Sequence, residues 1–175
     1  TVTGESNIGK ISDGQIDFIE MLPYGAKPAK HVIDAILEAD MIILGPGSLY
    51  TSIIPNLLVQ EVSDAIAHSH ALRVYVANIM TQPGETVGYD LYDHIAAVEK
   101  NAKSEIIDCI VANTAEVPKE LLARYKEEKS EPVALNIARF ADRDINIVLE
   151  NLYYNDNKKV RHNYLKLAKT LMKLC

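Results

Sequence analysis

The sequence predicts an α/β domain: a doubly wound, mostly parallel sheet with helices on both faces. Three observations carry that expectation. Short β-rich runs alternate with amphipathic helical stretches along the chain. Met41-Ile42-Ile43-Leu44 and Ile106-Ile107-Asp108-Cys109-Ile110-Val111 are nearly continuous apolar runs, as strands covered on both faces require. Pro28 and Pro118 stand where helical stripes begin, a position at which the missing N–H would be unpaired anyway. Strands separated by helices imply parallel pairing through right-handed crossovers, as in Rossmann-like folds.

In order, residues 15–21 read as a strand with Ile16, Phe18 and Ile19 among its apolar members. Residues 28–39 read as a helix, with Val32, Ile33, Ile36 and Leu37 on one stripe, followed by a strand over 41–44. A helix over 61–68 and a strand over 73–77 come next. Residues 90–102 form a helix with Leu91, Ile95 and Val98 on one face, and 106–112 a buried strand. A helix over 118–128, strands over 132–135 and 145–151, and a helix over 165–174 complete the pattern. In that last helix the leucines at 165, 167, 171 and 174 are expected to pack inward.

The 175 residues suit one domain with a real hydrophobic core, hiding about 70 % of the unfolded surface. Hydrophobic residues at 48 % and charged residues at 24 % exclude a disordered tail, a collagen rod and a coiled coil. Eighteen basic against twenty-four acidic residues leave a net charge of −6. That balance, without a Lys/Arg cluster, argues against nucleic acid and anionic membrane as partners. Cys109 and Cys175 are too few for a zinc site or a disulfide framework, and Cys109 reads as a small buried hydrophobe. This usage fits a reducing cytoplasm. The longest apolar runs fall far short of the ~20 residues that span a bilayer. Thr1-Val2-Thr3-Gly4-Glu5-Ser6 lacks the features of a signal peptide, and the missing initiator Met suggests a piece of a longer chain.

In an open α/β sheet, ligands sit beyond the carboxyl ends of the strands. The strand over 41–44 runs into Gly45-Pro46-Gly47-Ser48-Leu49-Tyr50-Thr51-Ser52. Gly45 and Gly47 can bring backbone close to a ligand, and Ser48, Thr51 and Ser52 offer hydroxyls and helix-capping positions. Amides at such a helix start attract phosphate, though Gly-Pro-Gly is also a common tight turn. The next strand runs into Asn78-Ile79-Met80-Thr81-Gln82-Pro83-Gly84-Glu85-Thr86, where Asn78, Thr81, Gln82 and Glu85 could line a sugar or phosphate site. The third ends in Asn113-Thr114. The expected ligand is anionic and rich in hydroxyls.

No HExxH, Gly-x-Ser-x-Gly, CxxC or Walker A lysine occurs, and the five histidines show no metal spacing. No nucleophile or other catalytic residue is identified. Glu85 and Asp93 could hold Mg²⁺ through a ligand's phosphates, although their spacing does not demand it. Arg161 has the planar fork that suits bidentate phosphate binding, and Tyr125 could stack on a base or pack in the core.

The stretch from Ala39 to Val59, with Asp40-Met41-Ile42-Ile43-Leu44-Gly45-Pro46-Gly47-Ser48-Leu49-Tyr50-Thr51-Ser52-Ile53-Ile54-Pro55-Asn56 inside it, closely resembles the signature of the YvcK family of bacterial gluconeogenesis factors. The block from Asn78 to Thr86, with Asp93-His94-Ile95 after it, matches that family's second block, and Gly4-Glu5-Ser6-Asn7-Ile8 looks like a third. The broader superfamily includes CofD, which transfers a phospholactyl-type group to a deazaflavin coenzyme precursor. The shared pattern is represented here by Gly45-Pro46, Ser52-Ile53 and Pro55.

The resemblance implies a regulator that binds UDP-N-acetylglucosamine and influences carbon metabolism, cell-wall synthesis and cell shape. It implies Tyr125 as a uracil or sugar contact and Arg161, in Val160-Arg161-His162, as a phosphate clamp. Family members run to roughly twice this length and begin with a Rossmann-like half carrying a glycine-rich turn. The chain is therefore expected to be a single α/β domain over residues 1–175, the carboxyl-terminal half of a CofD-like chain. A sheet edge left open would favour self-association into a homo-oligomer. The alternative reading is a CofD-like, Mg²⁺-dependent transferase acting on a nucleotide-activated donor, and a plain scaffold domain is the third.

Overall fold

The computed structural model describes residues 1–8, 16–155 and 159–175. In chain order they contain α1 (Glu5–Ile8), α2 (Val32–Leu37), β1 (Met41–Leu44), a π-helical turn (Leu49–Ile53), α3 (Ile54–Leu57) and α4 (Gln60–His68). Then come β2 (Leu72–Val76), α5 (Leu91–Ala102), β3 (Cys109–Asn113), α6 (Lys119–Glu127) and a 3₁₀ turn (Ile137–Phe140). The chain closes with β4 (Asn146–Glu150), β5 (Tyr153–Asn155), β6 (Val160–His162) and α7 (Tyr164–Leu171).

The strands β1 to β4 form one sheet in the order β1-β2-β3-β4, every neighbouring pair parallel. Met41 lies opposite Leu72, Val74 opposite Cys109, and Cys109 opposite Asn146. Alternation along each strand sorts the apolar side chains between the two faces. Leu44, Tyr75, Ile110 and Ala112 join Ile54, Leu57, Ile66, Leu91, Ile95 and Val98 in the larger core, beneath α3, α4 and α5. Val74, Val76, Cys109 and Val111 face the other way and pack with Leu152 and Leu167, beneath α7. Both faces thus carry helices, and each fully buried aliphatic side chain contributes about 1.5–3 kcal/mol.

Helix α5 starts where its sequence says it should. The Asp90 side chain accepts the Asp93 N–H at 3.0 Å, and the Asp93 carboxylate accepts the Asp90 N–H at 3.0 Å. This reciprocal cap satisfies donors that a helix start leaves unpaired. Arg139 grips both carboxylates, at 2.6 Å to Asp90 and 2.9 Å to Asp93, while its guanidinium lies 4.3 Å from the centre of the Tyr92 ring.

Several expected elements differ. Gln15 lies outside the described residues, and Ile16 to Met21 run as irregular chain with Phe18 exposed. Residues 132–135 are no strand: Pro132 makes one isolated antiparallel bridge with Met80, and the N–H of Val133 donates to the Ile79 carbonyl. Helix α2 is shorter than expected, because His31 takes a left-handed conformation (φ 71°) just before it. Leu165 points outward, whereas Leu167 is buried and Leu171 and Leu174 pack against the same core. The antiparallel β5–β6 hairpin was not expected, and it brings Arg161 opposite Tyr154. Among the described residues, no helix is long and apolar enough to cross a membrane.

Candidate functional site

Parallel strands deliver their carboxyl ends to one edge of the sheet, so the loops after β1 and β2 meet there. Gly45 leaves β1 with φ +91°, and a Cβ on it would stand 2.8 Å from the Val76 carbonyl oxygen. Only glycine permits this approach between neighbouring strand ends. Beyond the turn, the Asn78 amide donates to the Gly47 carbonyl at 2.9 Å, and the Gln82 amide donates to the Ser48 hydroxyl oxygen at 2.7 Å. Deeper in, the buried Glu85 carboxylate accepts the Tyr50 N–H at 3.0 Å and the Thr51 hydroxyl at 3.2 Å. The loops at 45–52 and 78–86 are therefore stitched together on one rim.

A cavity of about 430 Å³ opens beside this seam. The β1 loop lines it with Pro46, Gly47 and Ser48, and the β2 loop with Asn78, Ile79, Met80 and Gln82. Tyr125 of α6 and Val160, Arg161 and His162 of β6 complete the wall. Tyr125 ties that wall together, its hydroxyl oxygen accepting the Val160 N–H at 2.9 Å. Since that oxygen and the Ser48 oxygen both accept hydrogen bonds, each hydroxyl keeps its own proton to donate. These two hydroxyl donors suit an anion, and Arg161 also lines the cavity.

His162 adds the opposite polarity. Its Nε2 lies 3.1 Å from the Ala77 carbonyl oxygen, which can only accept, so Nε2 carries the proton and Nδ1 is left as an acceptor. Burial lowers the His162 pKa, outweighing the bond to Ala77.

Comparison with known proteins decides the family. The model described as "2-phospho-L-lactate transferase CofD" matches residues 1–153. The chain belongs to the CofD family. A gluconeogenesis-factor relative from Thermoanaerobacterium thermosulfurigenes is 44 % identical over 176 residues, covering 99 % of this chain and 54 % of its own. The gluconeogenesis factor of Bacillus subtilis is 36 % identical over 173 residues, covering 99 % and 54 %. A crystal structure of a Bacillus halodurans protein of the UPF0052 family superposes with a TM-score of 0.91 at 36 % identity, covering 97 % of this chain and 54 % of that one. The chain spans about half the length of these relatives.

Within this CofD-family chain, the structure gathers Gly47, Ser48, Asn78, Gln82, Tyr125 and Arg161 around one cavity. Gly45, Thr51, Ser52, Thr81 and Glu85 stand outside its lining. Gly45 shapes the turn, and Thr51 and Glu85 bond to each other beneath it. Ser52 donates its N–H to the Ser48 carbonyl. Thr81 is buried, its hydroxyl oxygen accepting the Glu131 N–H at 2.9 Å. The amide of Tyr50, at the helical start that a phosphate is expected to use, is already occupied by Glu85. Asn113 also stays outside: its side chain bonds Ala115 and the Leu152 N–H and closes its own turn. Asp93 caps α5 and pairs with Arg139. Among the described residues, the cavity lining thus offers magnesium no carboxylate.

His162, Met80, Ile79, Val160 and Pro46 are lining residues that sequence reasoning did not single out. The available signal for His162 is its place beside Arg161 in the terminal block Val160-Arg161-His162.

Proposed function

We propose that the protein containing this chain is a cytoplasmic regulator that binds a nucleotide sugar, UDP-N-acetylglucosamine, and acts on carbon metabolism, cell-wall synthesis and cell shape. The supporting observation is the cavity where the two stitched loops face Tyr125 and Arg161. Donors from Ser48, Tyr125 and Arg161 suit the diphosphate, while Asn78 and Gln82 suit sugar hydroxyls. Homology to gluconeogenesis factors points the same way. Isothermal titration of the full-length protein with UDP-N-acetylglucosamine tests the reading. Binding is expected, and Arg161→Ala should weaken it about tenfold or more, the effect of losing a charge-assisted contact. No heat of binding to wild-type protein, or an unchanged affinity in the variant, would rule it out.

The family description favours a second reading, transfer of a phospholactyl-type group from a nucleotide-activated donor. Positioning and charge stabilisation alone can carry such chemistry. Turnover with nucleotide diphospho-acids and a deazaflavin acceptor would establish it, and silence across acceptors would dismiss it.

A further inference from the structure

We infer that His162 selects the ligand by polarity: its Nδ1 accepts a hydrogen bond from an N–H or O–H group carried next to the phosphates. The inference rests on the nucleotide-sugar reading and adds a residue and a chemical requirement to it. His162 lines the cavity directly after Arg161, and its Nε2–H is anchored on the carbonyl of Ala77, the residue that follows β2. That anchor fixes the tautomer, so the ring's other nitrogen is a lone-pair acceptor. No hydrogen bond to Nδ1 is present among the described residues. Ser48 and Tyr125 present hydroxyl donors, which bare phosphate oxygens satisfy. A ligand made only of acceptors, such as sulfate, leaves Nδ1 without a partner. A uracil imide, an acetamido N–H or a sugar hydroxyl provides one.

Two substitutions separate this role from the structural one. His162→Gln can keep an N–H for Ala77 but has no group at the Nδ1 position. His162→Asn places its amide oxygen near Nδ1 and gives up the Ala77 bond. Titrations of the full-length protein use UDP-N-acetylglucosamine, UDP and sulfate, with melting temperature as the folding control. His162→Gln should bind UDP-N-acetylglucosamine about tenfold more weakly, the cost of one good hydrogen bond left unmade, while melting like wild type. Its sulfate affinity should not change. His162→Asn should stay within about threefold of wild type for the nucleotide sugar.

If His162→Gln also weakens UDP, the donor is on the uridine; if only the sugar nucleotide is affected, it is on the sugar. Either result supports the inference. Wild-type affinity in His162→Gln, with Arg161→Ala still impaired, overturns this inference and leaves the nucleotide-sugar reading standing. Equal losses in both His162 variants together with lower melting temperatures would show a structural role and overturn it too. Failure of wild-type protein to bind either uridine nucleotide removes both readings.

Discussion

The Glu85 carboxylate accepts the backbone N–H of Tyr50 at 3.0 Å, and the two residues belong to loops that leave different strands. The same carboxylate takes the Thr51 hydroxyl at 3.2 Å. Further along, the Tyr50 hydroxyl lies 2.8 Å from that of Tyr89, so the π-helical turn is held at both its backbone and its ring. Burial, followed by the bond to Tyr89, pushes the Tyr50 pKa upward and keeps the phenol protonated. A protein carboxylate thus does inside this seam what an anion does at a helix start, and leaves the ligand to the Ser48 side of the loop.

Glu85→Ala should therefore loosen the cavity from beneath. It strands the Tyr50 N–H in a buried position, at a cost of about 2–3 kcal/mol for a hydrogen bond to a charged group. Glu85→Gln keeps one acceptor and should cost about 1 kcal/mol. Urea denaturation midpoints give the two values, and titration should show weaker ligand binding in the order wild type, Gln, Ala. An Ala variant within about 0.5 kcal/mol of wild type, the range of ordinary surface changes, would show that the tie carries no weight.

Gly45 and Gly47 sit two residues apart and should respond differently to alanine. At Gly45 the new Cβ meets the Val76 carbonyl oxygen at 2.8 Å, and the backbone is at φ +91°. Strain of this kind costs on the order of 2–3 kcal/mol. At Gly47 the nearest atom is the Ser52 Cβ at 3.3 Å, a contact that a few tenths of an ångström relieve. Gly45→Ala should lower the denaturation midpoint clearly, and Gly47→Ala should change it little. Equal losses would contradict the steric argument.

These contacts explain which parts of the molecule were legible in sequence. Met41–Leu44 is apolar at every position and forms the expected strand, but at the sheet edge its cover is incomplete: Leu44 is buried and Ile43 is half exposed. Asp90, Asp93 and the stripe of Leu91, Ile95 and Val98 announced α5 together with its first turn. The convergence of the 45–52 and 78–86 loops followed from parallel topology alone. The β5–β6 hairpin did not announce itself. Its strands have three residues each, too few for an alternating pattern to register, yet they carry Arg161 and His162 to the cavity. At 132–135 the apolar residues suggested a strand, but this segment spends its hydrogen bonds elsewhere: Val133 donates to Ile79, and Ala134 accepts from Leu91. Glu85 looked like a ligand group because sequence shows its charge and its loop, whereas its partners exist only after the two loops meet.

The cap of α5 makes folding stability depend on acid. Burial alone would raise the Asp90 pKa, but hydrogen bonds from Arg139, Asn136 and the Asp93 amide bring it down from 3.8 to about 2. Between those values the unfolded chain binds more protons than the folded one, so stability rises with pH through the window. The contribution is fully present above about pH 4–5 and is lost as the pH falls towards 2. Because Arg139 is partly exposed, the gain is on the order of 1–2 kcal/mol. Asp108, lowered by its hydrogen bonds with Arg73, titrates in the same direction, so the wild-type curve alone does not isolate Asp90. Comparison with Asp90→Asn does. The variant should be less stable at pH 7, because its amide can turn only one acceptor towards Arg139, Asn136 and the Asp93 N–H. Its stability between pH 2 and pH 4 should then fall less steeply than that of wild type. Parallel curves for the two proteins would show that Asp90 is not the group whose charge holds the start of α5 against Arg139.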